Sequence, residues 1–258
     1  MNLEIQNKNA LVCGSTQGIG KATAIGLAEE GVNVTLVARN EEKLKAVLNE
    51  LPNNNQNHSY IVADFTNPED LKNKIEASKN NYHILINNTG GPAGGPVFNA
   101  ELSEFERAFT MHLKCNHVLT QAVVPFMKEQ GYGRVINVIS TSVKQPLDGL
   151  GVSNTIRGAV ANWSKTMANE LGQFGITVNN VLPGATSTER LNEIINNKAN
   201  KTGKSVDEVI NTMKNAAPAK RFAKPEEVAN AVVFLASERA SFINGINVPV
   251  DGGRTKSL

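Results

Sequence analysis

The sequence predicts an α/β fold, a doubly wound parallel sheet of about seven strands with helices on both faces. Three observations carry that expectation. Short runs rich in Val, Ile and Leu alternate with longer segments of helical period along the chain, the pattern of buried strands joined by crossover helices. The first run ends in a glycine cluster that opens directly into a helical segment. No Pro/Gly/Ser-rich linker and no internal repeat divides the 258 residues, so a single domain over residues 1–258 is expected.

The elements follow in order. Residues 9–13 are a short apolar run read as a buried strand, and residues 20–30 continue with helical period. Residues 32–37, with Val32, Val34, Thr35 and Val37, read as a second strand, and 41–51 as a helix with Glu41 and Glu42 in its first turn. Residues 59–63 are strand-like, and Pro68 opens a helix over 68–79. A strand at 83–87 precedes a long helical region at 101–129. Strands at 134–139 and 176–181 flank a helix at 153–174, and a helix at 226–236 leads to the last strand at 246–250. Residues 186–217 break the alternation with many Asn and Lys residues and two helical stretches. They lie past the sixth strand, where such folds open their ligand crevice. They read either as a variable surface insertion or as a mobile substrate lid.

Bulk properties narrow the function. Lys and Arg total 26 against 24 Asp and Glu, a net charge of +2 that no single run concentrates; nucleic-acid binding therefore lacks electrostatic support. No apolar stretch approaches the roughly 20 residues of a membrane helix, and residues 1–8 lack the apolar core of a secretory signal. A cytoplasmic protein, not bound to membranes, is expected. The two cysteines, Cys13 and Cys115, make no framework and are expected to be reduced. His58, His83 and His117 are scattered without metal-ligand spacing to carboxylates, so no metal site is expected.

The chemistry begins at Gly14-Ser15-Thr16-Gln17-Gly18-Ile19-Gly20, between the first strand and the first helix. Gly14 permits a tight turn, Gly18 lets the backbone approach a pyrophosphate, and Gly20 lets helix and strand pack closely. The helix N-terminus offers free N–H groups and the positive end of its dipole to phosphates. This context makes the glycine triplet a dinucleotide-binding turn of Rossmann type. After the second strand comes Ala38-Arg39-Asn40, with no carboxylate to accept from ribose hydroxyls. Arg39 is placed to pair with a 2′-phosphate, which favours NADP(H) over NAD(H); a solvated surface arginine is the bland reading. Gln17 is neutral where a second basic residue would have strengthened the reading.

With these motifs in view, the chain resembles the short-chain dehydrogenase/reductase family, within it the β-ketoacyl-ACP reductase-like branch. Residues 13–20 are similar to the family's TGxxxGxG turn, with Cys13 in place of its threonine. Asp64-Phe65 falls where the family aspartate meets the adenine, and Asn87-Asn88-Thr89-Gly90 resembles its NNAG, with Asn88 and Gly90 expected beside the cofactor. Pro183-Gly184, Thr186 and Thr188 resemble the segment on the nicotinamide side. Arg221-Phe222, Pro225-Glu226-Glu227 and Val250-Asp251-Gly252-Gly253 match the family's C-terminal pattern.

The resemblance implies catalysis by Asn, Ser, Tyr and Lys, and here the chain departs from it. Ser140 fits the serine that polarises a carbonyl, but Ser153 stands at the tyrosine position, Arg157 at the lysine position and His112 at the asparagine position. A serine hydroxyl is less acidic than a phenol and reaches less far, and arginine stays protonated. Losing a placed general acid forfeits roughly 10²–10⁴-fold in rate. His112, Lys144 and Gln145 are candidates to reach the site, and Arg157 is a candidate to hold the nicotinamide ribose or clamp a substrate carboxylate. The reading that follows is an NADP(H)-dependent oxidoreductase of a small-molecule carbonyl/alcohol pair with an atypical proton donor. The alternative is a dinucleotide-binding protein with little or no redox turnover, a sensor or an assembly partner. The family also implies a homo-oligomer, a tetramer or dimer, built through the long helices and the C-terminal segment.

Overall fold

The computed structural model describes residues 1–257. Among them the strands β1 (Asn9–Cys13), β2 (Asn33–Ala38), β3 (Ser59–Val62), β4 (Ile84–Asn87), β5 (Gly133–Val138), β6 (Ile176–Pro183) and β7 (Asn247–Val250) form one sheet, ordered β3-β2-β1-β4-β5-β6-β7. Every pairing is parallel. The helices are α1 (Gly18–Glu29), α2 (Glu41–Glu50), α3 (Pro68–Ala77), α4 (Leu102–Phe109), α5 (Cys115–Gln130), α6 (Gly151–Leu171), α7 (Glu189–Thr202), α8 (Val206–Asn215) and α9 (Pro225–Leu235). The strand order reverses between β1 and β4, and a crevice opens at their C-terminal ends, the place where this architecture takes ligands.

Alternate strand residues feed two cores, as a period of two requires. Val12, Leu36, Ile86 and Ile136 meet Leu27 and Ala28 of α1, Leu44 of α2 and Val232 of α9 on one face. Leu11, Leu85, Val135 and Val178 meet Leu71 of α3, Leu119 and Val123 of α5 and Ala168 of α6 on the other. Each Val, Leu or Ile among them contributes roughly 1.5–3 kcal/mol by leaving water. Cys13 and Cys115 belong to the second core as buried free thiols.

That second face also carries polar groups. Parallel register aligns Asn87, Asn137, Asn180 and Asn247 across β4 to β7. Each Nδ2 donates to the next Oδ1, at 2.8, 3.0 and 2.8 Å. Ser164 of α6 seals the middle rung, accepting from Asn137 Nδ2 at 2.5 Å and donating to Asn180 Oδ1 at 2.7 Å. Pairing of this kind makes buried amides tolerable; the Asn87 Oδ1 at the β4 end of the ladder is the one amide oxygen in it left without a partner among the described residues.

The structure differs from expectation in two helices. The region at 101–129 is not one α-helix: α4 and α5 are joined by a π-helical turn at Thr110–Lys114, which contains His112. Such wide turns insert a residue into the helical period and frequently mark functional sites. The helix expected over 153–174 starts at Gly151 and gives way to a 3₁₀ turn at Gly172–Phe174 before Gly175. Gly175 adopts a positive φ of 73° against Gly131, whose carbonyl would lie 2.2 Å from any Cβ there. Residues 186–217 contain α7 and α8, which share a small core of Leu191, Ile195, Ala199 and Val209.

Candidate active site

The glycine turn is built as tightly as its sequence implies. Gly14 has φ +59°, and a Cβ on it would lie 2.4 Å from the Asn88 carbonyl oxygen. A Cβ on Gly20 would lie 2.1 Å from the Gly14 carbonyl oxygen. Asn88 Nδ2 donates to the carbonyls of Cys13 and Gly14, at 3.3 and 3.2 Å, joining the end of β4 to the turn after β1. Ser15 is buried and its Oγ accepts from Val37 N at 3.1 Å, so its side chain braces β2. Thr16, Gln17, Gly18 and Ile19 run from the turn into the first residues of α1, and Gln17 at the N-cap makes no side-chain capping bond. The first N–H groups of α1 therefore lack the usual side-chain acceptor, as an anion-binding helix start requires. A crevice that only glycine can line, ending in uncapped N–H groups, fits a dinucleotide pyrophosphate.

Past β2, Arg39 is exposed and Asn40 caps α2 by accepting from Lys43 N at 2.9 Å. Arg39 lies near enough to Asp64 to help hold its carboxyl below the usual range, behind the larger effect of the Thr66 backbone N–H. Phe65 is a core side chain whose carbonyl accepts from Cys115 Sγ, so only its backbone N–H remains for a ligand. Gly90 is exposed, with no atom within 4 Å of a Cβ built on it.

At the C-terminal end of β5, Ser140 is half-buried and its Oγ accepts from Ser142 N at 3.1 Å. That bond uses a lone pair and leaves the hydroxyl hydrogen free to donate. Ser153 and Arg157 lie one turn apart on α6 and share a face. Ser153 is half-buried, whereas Arg157 is 7% exposed and donates from Nη1 to the Val138 carbonyl at 3.2 Å. His112 is 2% exposed, with Nδ1 2.6 Å from Thr89 Oγ1. Thr89 is the site residue that the sequence reading passes over; its mismatch with the alanine of NNAG was the available signal.

Burial, and then the Arg157 charge, push His112 down to about 2. The ring is therefore neutral at pH 7, which argues against His112 as a cationic acid. A histidine titrating near 2 when folded and near 6.5 when unfolded binds its proton only in the unfolded chain between those values. Stability then falls as pH is lowered through that window, by up to about 1.4 kcal/mol per pH unit. His83, pushed to about 4 by burial and then Lys8, acts in the same direction over a narrower window, between about 4 and 6.5. His112→Asn is expected to make urea-unfolding free energies measurably less dependent on pH between 4 and 6. An unchanged slope would mean that the native ring already carries a proton.

The segment after β6 closes the crevice from the far side. Pro183 ends β6 and Gly184 packs against Asp251, 2.7 Å from its Cα when a Cβ is built. Thr186 Oγ1 donates to the Gly184 carbonyl at 3.1 Å, and Thr188 caps α7, accepting from Leu191 N at 3.3 Å. Thr188 Cγ2 would lie 3.0 Å from a Cβ on Gly18, so the glycine turn and the start of α7 face each other. From α7, Arg190 donates to the Pro92 carbonyl at 2.7 Å and Lys201 to the Gly94 carbonyl at 3.2 Å. Among the described residues no helix is long and apolar enough to cross a membrane.

A parallel sheet with a glycine turn at its switch point, and hydroxyl and cationic side chains gathered at neighbouring strand ends, is the arrangement of a dinucleotide-linked oxidoreductase. Comparison with known proteins makes this specific. A family model described as enoyl-(acyl carrier protein) reductase matches residues 14–255. The NADPH-dependent reductase BacG of Bacillus subtilis (strain 168) is 29% identical over 259 residues, covering 98% of this chain and 100% of that protein. The 3-oxoacyl-[acyl-carrier-protein] reductase FabG of Rickettsia bellii (strain RML369-C) is 31% identical over 253 residues, covering 97% of this chain and 98% of that protein. The crystal structure of L-sorbose reductase from Gluconobacter frateurii, complexed with NADPH and L-sorbose, matches with a TM-score of 0.93 at 31% identity, covering 100% of both chains. The chain belongs to the short-chain dehydrogenase/reductase family and is an oxidoreductase acting on CH–OH groups with NAD(P).

Proposed function

We propose that this protein is an NADP(H)-dependent, 3-oxoacyl reductase-like enzyme that interconverts a carbonyl and an alcohol with an atypical proton donor. The observation that carries the reading is Ser140, held at the end of β5 by its bond from Ser142 N with its own hydrogen free. The NADP(H) preference rests on the exposed Arg39 and the absence of a carboxylate at the end of β2, together with NADPH in relatives. The bound cofactor supplies the hydride. Ser140 donates to the carbonyl oxygen that becomes the alkoxide and so lowers the energy of that anion. With His112 neutral, we assign the proton to water admitted beside Ser153, in the space a phenol would fill. Residues 186–217 act as a lid over the substrate, hooked to the opposite loop by Arg190 and Lys201. The exposed Phe98, Leu102 and Phe242 support a homo-oligomer.

The test is NADPH titration by fluorescence or calorimetry, followed by NADPH oxidation with a panel of ketones and keto acids. Binding with slow turnover is expected, and Ser140→Ala should lower kcat by about 10²-fold. Tight binding with no turnover would favour a sensor or assembly role, and failure to bind either dinucleotide would remove the reading.

A further inference from the structure

The two buried arginines of the chain are treated very differently. Arg134 is 1% exposed and its guanidinium donates to the carbonyls of Gly133, Gly175 and Ser237 and to Glu238. A cation so surrounded is structural. Arg157 is 7% exposed, yet it makes one hydrogen bond, from Nη1 to the Val138 carbonyl, and no ion pair among the described residues. A guanidinium carries five donor hydrogens in a planar fork. Taking it out of water without an anion is costly unless a partner arrives.

The surroundings also lack a compensating charge. Arg157 is pushed down by burial only to about 10 and stays protonated at pH 7. The side chain electrostatically coupled to it is His112, which is neutral. Ser140 and Ser153, at the neighbouring strand end and one turn back on α6, are uncharged. The end of β5 therefore holds one buried positive charge that no anion among the described residues neutralises, anchored on the Val138 carbonyl two residues before Ser140.

We propose that Arg157 binds the carboxylate of an oxo-acid substrate, so that the protein reduces carbonyl compounds bearing a carboxylate rather than neutral ketones. The inference rests on the reductase reading above and names its substrate class. A carboxylate matches the guanidinium fork in two parallel bonds. It neutralises the buried charge and turns the adjacent carbonyl toward Ser140. No electron or proton is transferred at Arg157; it binds and orients.

The test is calorimetric titration of the NADPH-saturated protein with straight-chain 2-oxo and 3-oxo acids, each against its methyl ester and the matching neutral ketone. At least one acid should bind about 10–100-fold more tightly than its ester, the gain of a charge-assisted bidentate pair. Arg157→Met, at saturating NADPH, should bring acid and ester to within about threefold of each other, and Arg157→Lys should keep part of the preference. Acid and ester binding equally to the unaltered protein, or no acid binding at all, overturns the proposal whether or not the variants fold. A preference that survives in Arg157→Met also overturns it. Reduction of neutral ketones without acid preference would remove this inference and leave the reductase reading standing. Arg157-dependent acid binding with no NADPH oxidation by any compound would remove the reductase reading and leave the acid site.

Discussion

Ser153→Tyr combined with Arg157→Lys is expected to raise kcat on neutral ketones by about 10²–10⁴-fold, the usual contribution of a placed general acid. Both positions lie on one face of α6, four residues apart, so a phenol and an ammonium introduced there come from the same side of the crevice. Ser153 is half-buried, so a longer side chain introduced there can keep its hydroxyl at the water boundary. The ammonium matters as much as the phenol, because its charge stabilises the phenolate left after proton transfer. Ser153→Tyr alone should give a smaller gain, since the guanidinium of Arg157 is tied to the Val138 carbonyl. Steady-state kinetics with a pH profile separates the cases: the double variant should acquire a dependence on one ionisation that the unaltered protein lacks. No gain in either variant would show that proton supply does not limit the reaction, and the mechanism through water would fall.

Gly20→Ala is expected to lower NADPH affinity by more than about 100-fold and to destabilise the fold by roughly 1–3 kcal/mol. The added methyl would lie 2.1 Å from the Gly14 carbonyl oxygen and 2.6 Å from Asn88 Nδ2. The first contact is with backbone and cannot yield without moving the start of α1 away from β1, and the second yields only by breaking the bonds from Asn88 Nδ2 to the Cys13 and Gly14 carbonyls. The same substitution at Gly158 is the control. It sits within α6 with no atom within 4 Å of a built Cβ, and alanine there should stabilise by up to about 1 kcal/mol. Denaturant unfolding and NADPH titration of the two variants read the contrast directly. Normal affinity in Gly20→Ala would mean that the turn relaxes, and that close packing of α1 on β1 is not what shapes the crevice.

The five inner strands were legible because they are largely apolar runs buried on both faces; the edge strands β3 and β7 are only partly buried, and all seven have ends within two residues of those expected from the sequence. The glycine turn was legible because its spacing and its place between strand and helix together leave few alternatives. The polar cluster was only half legible. Ser140, Ser153 and Arg157 can be singled out by position along the chain, but the 2.6 Å contact between His112 and Thr89 joins residues 23 apart and depends on how a helix docks on a loop. The π-helical turn holding His112 was invisible, because one extra residue in a turn barely disturbs an apolar stripe. Arg157 looked in the sequence like a substituted lysine; its lack of an anion is a fact of packing. The hooks from Arg190 and Lys201 to Pro92 and Gly94 also lie beyond reading, since lysines and arginines on such helices usually face water.

The asparagine ladder from β4 to β7 acts as a proofreader of alignment. Apolar side chains reward nearly any pairing that keeps them dry, so a parallel sheet built of Val, Ile and Leu alone tolerates slippage along a strand. The amides do not. Shifting β5 or β6 by one residue turns its asparagine to the opposite face, into the core of α1 and α9. The shift empties rungs on both sides at once, each abandoned group costing about 1–3 kcal/mol. Misaligned sheets are thereby penalised, and the strand ends carrying Asn88, Ser140, Pro183 and Asp251 are held in one register.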